Sequence, residues 1–339
     1  MRVLIVGAGA VGKVYAKHLL TAGAEVSFLV KPEHVPSDPG SYTTYPLNRR
    51  RKKRCEPVRV RGVDVLSDLA AVEKRPFDQV YLAVSSPALR AKEWFPRLAR
   101  AIDGATLVLL QPGPEDRGFV LQHLPSTQVV QGIITLLAYA APLPGETRFP
   151  EPGVAYWFPP LAKSPMGGPA DRLEPVLAAL KQGGLPARRN PDVARQAPFF
   201  SAPFMPLLAG LENAGWSFAT FRKTQLRLTA KAGAEALAVT ARHEERPAPL
   251  PLHLLGRPLF LHLLSRLAGH LAPVDLQTYL RVHFTKVGDQ TRDMLRHTLE
   301  QGRAAKLPVE ALAKIAEPLL DATPSPRRAP RATPVLADV

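Results

Sequence analysis

Gly7, Gly9 and Gly12 stand in the spacing G-x-G-x-x-G near the start of the chain, with Ala8, Ala10 and Val11 between them. Each glycine has a mechanical reason: Gly7 for a tight turn, Gly9 for close approach of a pyrophosphate to the backbone, Gly12 for packing a helix against a strand. Free N–H groups at the positive end of that helix then take the phosphate charge. The chemistry is that of holding a dinucleotide, with Gly7, Gly9, Ala10, Val11 and Gly12 as its expected contacts. Lys31 says which one. An NAD site places Asp or Glu there to accept from the ribose 2′-OH, whereas a 2′-phosphate calls for a cation, so NADP(H) is the expected cofactor. Glu33 lies two residues on, set apart by Pro32 in a loop position.

Two strands and a helix must position these groups. Val3, Leu4, Ile5 and Val6 read as an apolar strand. Val14, Ala16, Leu19 and Leu20 recur at helical spacing, and after Gly23 and Ala24 comes a second strand from Val26 to Val30. This βαβ opening predicts a Rossmann-type, mostly parallel sheet. Residues 77–84 and 106–110 read as further buried strands. Ligands lie outside the carboxyl ends of strands in an open α/β sheet, so Ser85 and Ser86 are candidates to face the cofactor, and the end Gln111-Pro112-Gly113-Pro114 is expected to border the nicotinamide. Ser85 and Ser86 read equally well as a helix cap ahead of Pro87.

The alternation over 58–65 is strand-like, 88–101 predicts a helix, 128–140 a strand region, and 185–189 a last edge strand. From about residue 192 the texture becomes helical, over 204–220, 224–243, 252–271, 275–301 and 308–320. The expected architecture is therefore an α/β cofactor domain over 1–191, an all-α domain over 192–320 that forms the other wall of a cleft, and a flexible Pro- and Arg-rich tail over 321–339.

The totals narrow the partners. At 339 residues about two domains are expected. The single cysteine, Cys55, excludes an intramolecular disulfide framework and a cysteine metal cluster. His253, His262 and His270 lack the spacing of a metal site, so none is expected. No run is long and apolar enough for a membrane span, and the first apolar run is a strand rather than a leader, so a cytoplasmic location with no membrane partner is expected. The net charge of +15 suits an anionic dinucleotide and a carboxylate substrate. Its densest part, Arg49, Arg50, Arg51, Lys52, Lys53 and Arg54, reads as a charged hairpin loop, with contact to a phosphate or polyanion as the other readings; no recognition helix or stacking aromatics accompany it, so nucleic acid is not the expected partner.

With these pieces in place the chain resembles the ketopantoate reductase family (2-dehydropantoate 2-reductases), as a divergent member. The resemblance rests on the loop from Gly7 to Gly12, on Lys31 where the family carries a basic residue for the 2′-phosphate, on Leu82-Ala83-Val84-Ser85 against a strand ending Val-Lys, and on Gln111-Pro112-Gly113 against Gln-Asn-Gly. It implies NADPH-dependent reduction of an α-keto acid, a helical domain closing the cleft, and a state that is monomeric or homodimeric.

The departures fall on the chemistry. The family's lysine that opens the helical domain gives a proton to the developing alkoxide, and this segment reads Pro198-Phe199-Phe200-Ser201-Ala202-Pro203-Phe204-Met205-Pro206 with no lysine. Pro112 replaces an asparagine that contacts cofactor and substrate, and the acidic Thr-Glu-Ile-Asp segment is replaced near Lys286-Val287-Gly288-Asp289. Asp289 and Lys286 are the remaining candidates for acid or electrostatic anchor, with Glu212 and Asn213 as a second pair; a solvated or helix-capping role is the other reading of each. The expected substrate pocket is Pro112, Phe200, Phe204 and Asn213, and Phe199, Phe200, Phe204 and Trp216 read as an apolar wall to it or as core. The expectation is an NADP-dependent reductase of an anionic carbonyl or hydroxy compound other than ketopantoate; the rival is a non-catalytic NADP-binding sensor or interaction protein.

Overall fold

The computed structural model describes residues 1–35, 40–48, 55–91 and 93–321. The basic run 49–54 and the Pro- and Arg-rich stretch 322–339 lie outside the described residues. In chain order the first part holds β1 (Arg2–Val6), α1 (Ala10–Thr21), β2 (Glu25–Leu29), β3 (Ser41–Pro46), β4 (Val58–Arg61), β5 (Val63–Leu66), α2 (Leu69–Glu73), β6 (Gln79–Leu82), α3 (Ser86–Arg90), α4 (Trp94–Ala101), β7 (Thr106–Leu109) and α5 (Asp116–Leu121). There follow β8 (Val129–Gly132), β9 (Leu137–Ala141), β10 (Gly153–Trp157), β11 (Ser164–Gly167), α6 (Ala170–Gln182) and β12 (Ala187–Arg189).

The main sheet has the order β12-β11-β8-β7-β6-β1-β2-β5. Its six parallel strands, taken by their rank in the chain, run 3-2-1-4-5-6, the doubly wound order in which the chain reverses direction across the sheet between β1 and β6. β11 runs antiparallel to β8, and β12 follows β11 at the edge. Alternation along β1 sends Val3 and Ile5 to one face, packed with Val14, Tyr15 and Leu19 of α1, and Leu4 and Val6 to the other, packed with Phe95 and Leu98 of α4.

The strand-like run over 58–65 proves to be two strands in two sheets. Gly62, at φ +80°, breaks it: β4 pairs back on β3 as a hairpin, while β5 joins β2. The strand region over 128–140 likewise divides, β8 to the main sheet and β9 to a second, four-stranded sheet of order β4-β3-β10-β9. The helix read over 88–101 is broken into α3 and α4.

The second part holds only helices among its described residues: α7 (Val193–Asn213), α8 (Phe218–Thr224), α9 (Leu226–His243), α10 (Pro258–Leu271), α11 (Leu276–Lys286), α12 (Gly288–Ala304) and α13 (Glu310–Asp321), besides a short 3-10 turn before α10. α7 begins eleven residues before the expected Phe204 because it carries Pro198, Pro203 and Pro206 inside it, residues that read as breakers in sequence. The helix expected over 275–301 breaks at Val287. Gly210 lets α7 cross α9 closely, since a Cβ there would overlap the Thr229 hydroxyl. The buried Glu235 of α9 accepts from the Ala311 and Leu312 N–H groups and so caps α13. No helix among the described residues is long and apolar enough to cross a membrane.

Candidate functional site

β1 ends at the switch point, and the chain turns through Gly7 at φ +99° into α1. A Cβ on Gly7 would lie 3.0 Å from the Ala83 carbonyl oxygen beyond β6, and one on Gly12 would overlap the Gly7 carbonyl oxygen, so both glycines are set by close packing. Gly9 differs: a Cβ there would meet nothing within 4 Å. Gly9 caps α1 without a side-chain hydrogen bond, and the first turn holds no acid. An open backbone approach, an uncapped helix N-terminus around Ala10 and Val11, and no competing carboxylate together fit a dinucleotide pyrophosphate.

Lys31 lies just past β2 and is 70% exposed. Glu33 is not held apart from it: Lys31 Nζ and Glu33 Oε1 are 3.9 Å apart, because residues 32–34 form a single 3-10 turn. The segment past β2 therefore offers a cation and a carboxylate side by side, an exposed pair worth little to stability.

The far strand ends are tied together twice. Gln111 is buried, and its Nε2 donates to the Leu82 and Val84 carbonyls at 3.1 and 2.8 Å. The amide expected at the cofactor is thus spent on spacing β6 against β7, with Val84 and Ser85 at the half-buried lip of β6. The second tie is Asp116, which the sequence reading missed. As the first residue of α5 it reads as an acid favouring a helix dipole. Its carboxyl is wholly buried, accepting from Ser86 Oγ–H at 2.5 Å and from the Gly113 N–H at 2.9 Å. Burial pushes its pKa up, opposed by the Ser86 hydrogen bond and by Arg90.

The helical wall meets these ends at few points. The Ser86 N–H donates to Gln290 Oε1 of α12 at 3.2 Å, and Ser201 Oγ–H reaches the Pro112 carbonyl at 3.4 Å. His297 Nδ1 lies 3.6 Å from Glu115 Oε1, and the same Glu115 pairs with Arg90. Between them lies a cavity of about 470 Å³ lined by Ser86, Arg90, Glu115, Gln290, Arg296 and His297. A hollow of about 30 Å³ behind Pro112, Ser201 and Met205 shares His297 with it.

Other expected residues are placed differently. Lys286 closes α11 and Asp289 opens α12; both are exposed, and Gln290 between Asp289 and Thr291 is the residue that touches the strand end. Phe200 and Phe204, 45% and 37% exposed, stand one turn apart on α7, and Phe204 packs edge-on against Phe284, which stacks on Trp216. Phe199 is core. Asn213 lies about 20 Å along α7 from Phe200, at 1.5 Å per residue, and donates to the Ile315 carbonyl of α13. Glu212 pairs with Arg292. Among the described residues no three His, Cys, Asp or Glu side chains gather as a metal site.

Residues 3–162 match the family model described as ketopantoate reductase PanE/ApbA. No curated protein matches the chain in sequence. Among solved structures, the PanE/ApbA family ketopantoate reductase from Ralstonia eutropha JMP134 is similar at TM-score 0.66 and 18% identity, covering 94% of this chain and 97% of that one. A D-mandelate dehydrogenase, in ternary complex with NADH and anilino(oxo)acetate, gives TM-score 0.66 at 12% identity over 94% and 97%. The dimeric ketopantoate reductase from Staphylococcus aureus gives 0.64 at 13% identity over the same shares. By sequence over residues 3–162, and by fold over nearly its whole length, the chain is similar to the ketopantoate reductases.

Proposed function

We propose that the protein is an NADP(H)-dependent oxidoreductase acting between a carbonyl and a hydroxy group of an anionic compound other than ketopantoate. The observation that carries this reading is the glycine loop, with open space at Gly9 over an uncapped helix N-terminus at the point where the sheet order reverses. Residues 1–191 then form the cofactor domain and 192–320 the second wall. Gly7, Gly9, Ala10, Val11 and Gly12 hold the pyrophosphate, Lys31 the 2′-phosphate, and Val84, Ser85 and the Gln111 segment flank the nicotinamide. Bound NADPH supplies the hydride. The chain's part is orientation: Phe200 and Phe204 give an apolar wall that excludes water, and Pro112 offers no amide where the family has one. Lys286 and Asp289, at the α11–α12 junction, are the groups we assign to compensate or protonate the alkoxide.

A second reading is favoured by a specific observation, the absence of any lysine between Pro198 and Pro206. On it the protein binds NADPH and does not turn over. The discriminating measurement is NADPH oxidation with a panel of 2-keto acids, ketones and imines. Turnover that falls in Lys286→Ala or Asp289→Asn supports the reductase, and saturable binding with no oxidation across the panel selects the sensor.

Titration with NADPH and NADH tests the cofactor itself. Wild type is expected to prefer NADPH, and Lys31→Ala to lose about tenfold in NADPH affinity with little change for NADH, the scale of one charged hydrogen bond. Glu33→Gln removes the neighbouring carboxylate and is expected to tighten NADPH binding. If Glu33→Gln instead weakens NADH in a protein that prefers NADH, Glu33 is the ribose acceptor and the NADP assignment is wrong.

A further inference from the structure

Asp116 is wholly buried, and both of its donors come from the two strand ends that flank the nicotinamide in the reading above. Ser86 follows β6 and Gly113 follows β7, and the one oxygen Oδ2 accepts from both. Gly113 is required there, since a Cβ would overlap Asp116 Oδ2 and stand 2.8 Å from Ser86 Oγ. Ser86 itself is 1% exposed. Its backbone N–H leaves the domain altogether and meets Gln290 of α12. The other carboxylate oxygen, Oδ1, has no hydrogen-bond partner, and neither has Arg90 Nε 3.5 Å away. Arg90 turns its outer nitrogen to Glu115, which also faces His297.

A buried carboxylate with one oxygen held only by a long ion pair to Arg90 Nε is costly, and a serine–amide contact between neutral groups would hold the same loops at lower cost. What the charge adds is short, strong, directional bonds to two loops that share no backbone pairing beyond the strand ends. We propose that Asp116 is a positioning residue for the nicotinamide half of the cofactor site: through Ser86 and Gly113 it fixes the spacing of the β6 and β7 ends, and through Ser86 and Gln290 it seats α12 against them. The pyrophosphate half, built on the loop after β1, does not depend on it. This rests on the cofactor reading given under Proposed function.

The test uses the full chain and two ligands measured by calorimetry, NADPH and 2′-phospho-ADP-ribose, which keeps the phosphates and lacks the nicotinamide. Asp116→Asn and Ser86→Ala are each expected to lose about tenfold in NADPH affinity and less than about twofold for the fragment, with the double variant no worse than either alone, as for residues acting through one contact. Gln290→Ala, on the exposed side of the contact, is expected to give a smaller loss in the same direction, and it serves if Asp116→Asn does not fold. Equal losses for both ligands would mean a merely structural carboxylate, and no loss for either would remove Asp116 from the site; both overturn the proposal. If wild type binds neither ligand, it is the cofactor reading that fails.

Discussion

Gly12→Ala is expected to lose both stability and cofactor binding, whereas Gly9→Ala, three residues away in the same loop, is expected to lose binding alone. At Gly12 the new methyl would overlap the Gly7 carbonyl oxygen and press on Ile5 and Ala83. Backbone cannot swing aside as a side-chain end can, so α1 must move off the sheet, with a loss of about 2 kcal/mol on the scale of overpacked cores. The displaced N-terminus no longer presents its N–H groups, and NADPH affinity falls by more than about tenfold. At Gly9 the methyl meets nothing within 4 Å and the backbone is extended, so the folded protein accepts it. Stability stays level or rises by about 0.5 kcal/mol, from the smaller entropy of the unfolded chain. The methyl fills the space left for the pyrophosphate, so binding falls as it does for Gly12→Ala. Thermal melts beside NADPH titrations read both quantities, and a Gly9→Ala protein that binds NADPH like wild type would show that no phosphate approaches that backbone.

The second large effect is acid sensitivity centred on His18. This residue of α1 is buried edge-on between Tyr156 and Phe158. Its Nδ1 lies 2.6 Å from the Gly183 carbonyl oxygen, which only accepts, so Nδ1 carries the proton and donates. Nε2 is buried without a partner, and burial lowers the pKa from 6.5 to about 4. His283, against Tyr279 and Phe284, is lowered to about 4 by burial and then by Lys286. Between pH 6.5 and 4 the unfolded chain binds protons that the native protein refuses, so stability is fully present above 6.5 and falls as pH drops through this window. The loss approaches about 3 kcal/mol for His18, and His283 adds in the same direction. Asp116, raised by burial, contributes the opposite slope over its own range, where the native state binds the extra proton. Urea unfolding at pH 7 and pH 4.5 checks the balance. His18→Asn keeps a donor for the Gly183 carbonyl and never charges, so it starts less stable and loses less on acidification; equal losses for variant and wild type would refute the His18 account.

Much of the fold could be read because its signals are local. Gly7 to Gly12 between two apolar strands states a βαβ unit within thirty residues, and the buried strands at 77–84 and 106–110 extend it. Errors arose where a local signal has a distant owner. Gly62 looks like one residue in an alternating strand, and only pairing with β3 on one side and β2 on the other reveals two strands. Pro198, Pro203 and Pro206 break helices in isolation and are carried in α7 because it is packed along its length by α9 and α13. The site divides in the same way. Lys31 and the glycines announce themselves by type and spacing, whereas Asp116 has its partner Ser86 thirty residues away and nothing near it in sequence suggests burial. Gln290 is equally silent, since an uncharged glutamine between Asp289 and Thr291 draws no attention until the fold brings it to Ser86.

The small sheet has a consequence for cooperativity. Its two halves are excursions from distant crossovers, joined by the parallel pairing of Thr44 with Val154 and Tyr45 with Ala155. A lone two-stranded hairpin is marginal in water, so each half is expected to rely on the other and on the face of α1 against which the sheet packs. The same sheet holds the helical part: Arg148 donates to the Pro273 carbonyl, and Tyr139 meets Tyr279 edge to face. Hydrogen exchange in β3–β4, in β9–β10 and in residues 273–279 is therefore expected to report one shared opening free energy. The helical part is tethered not only at the strand ends but through the small sheet.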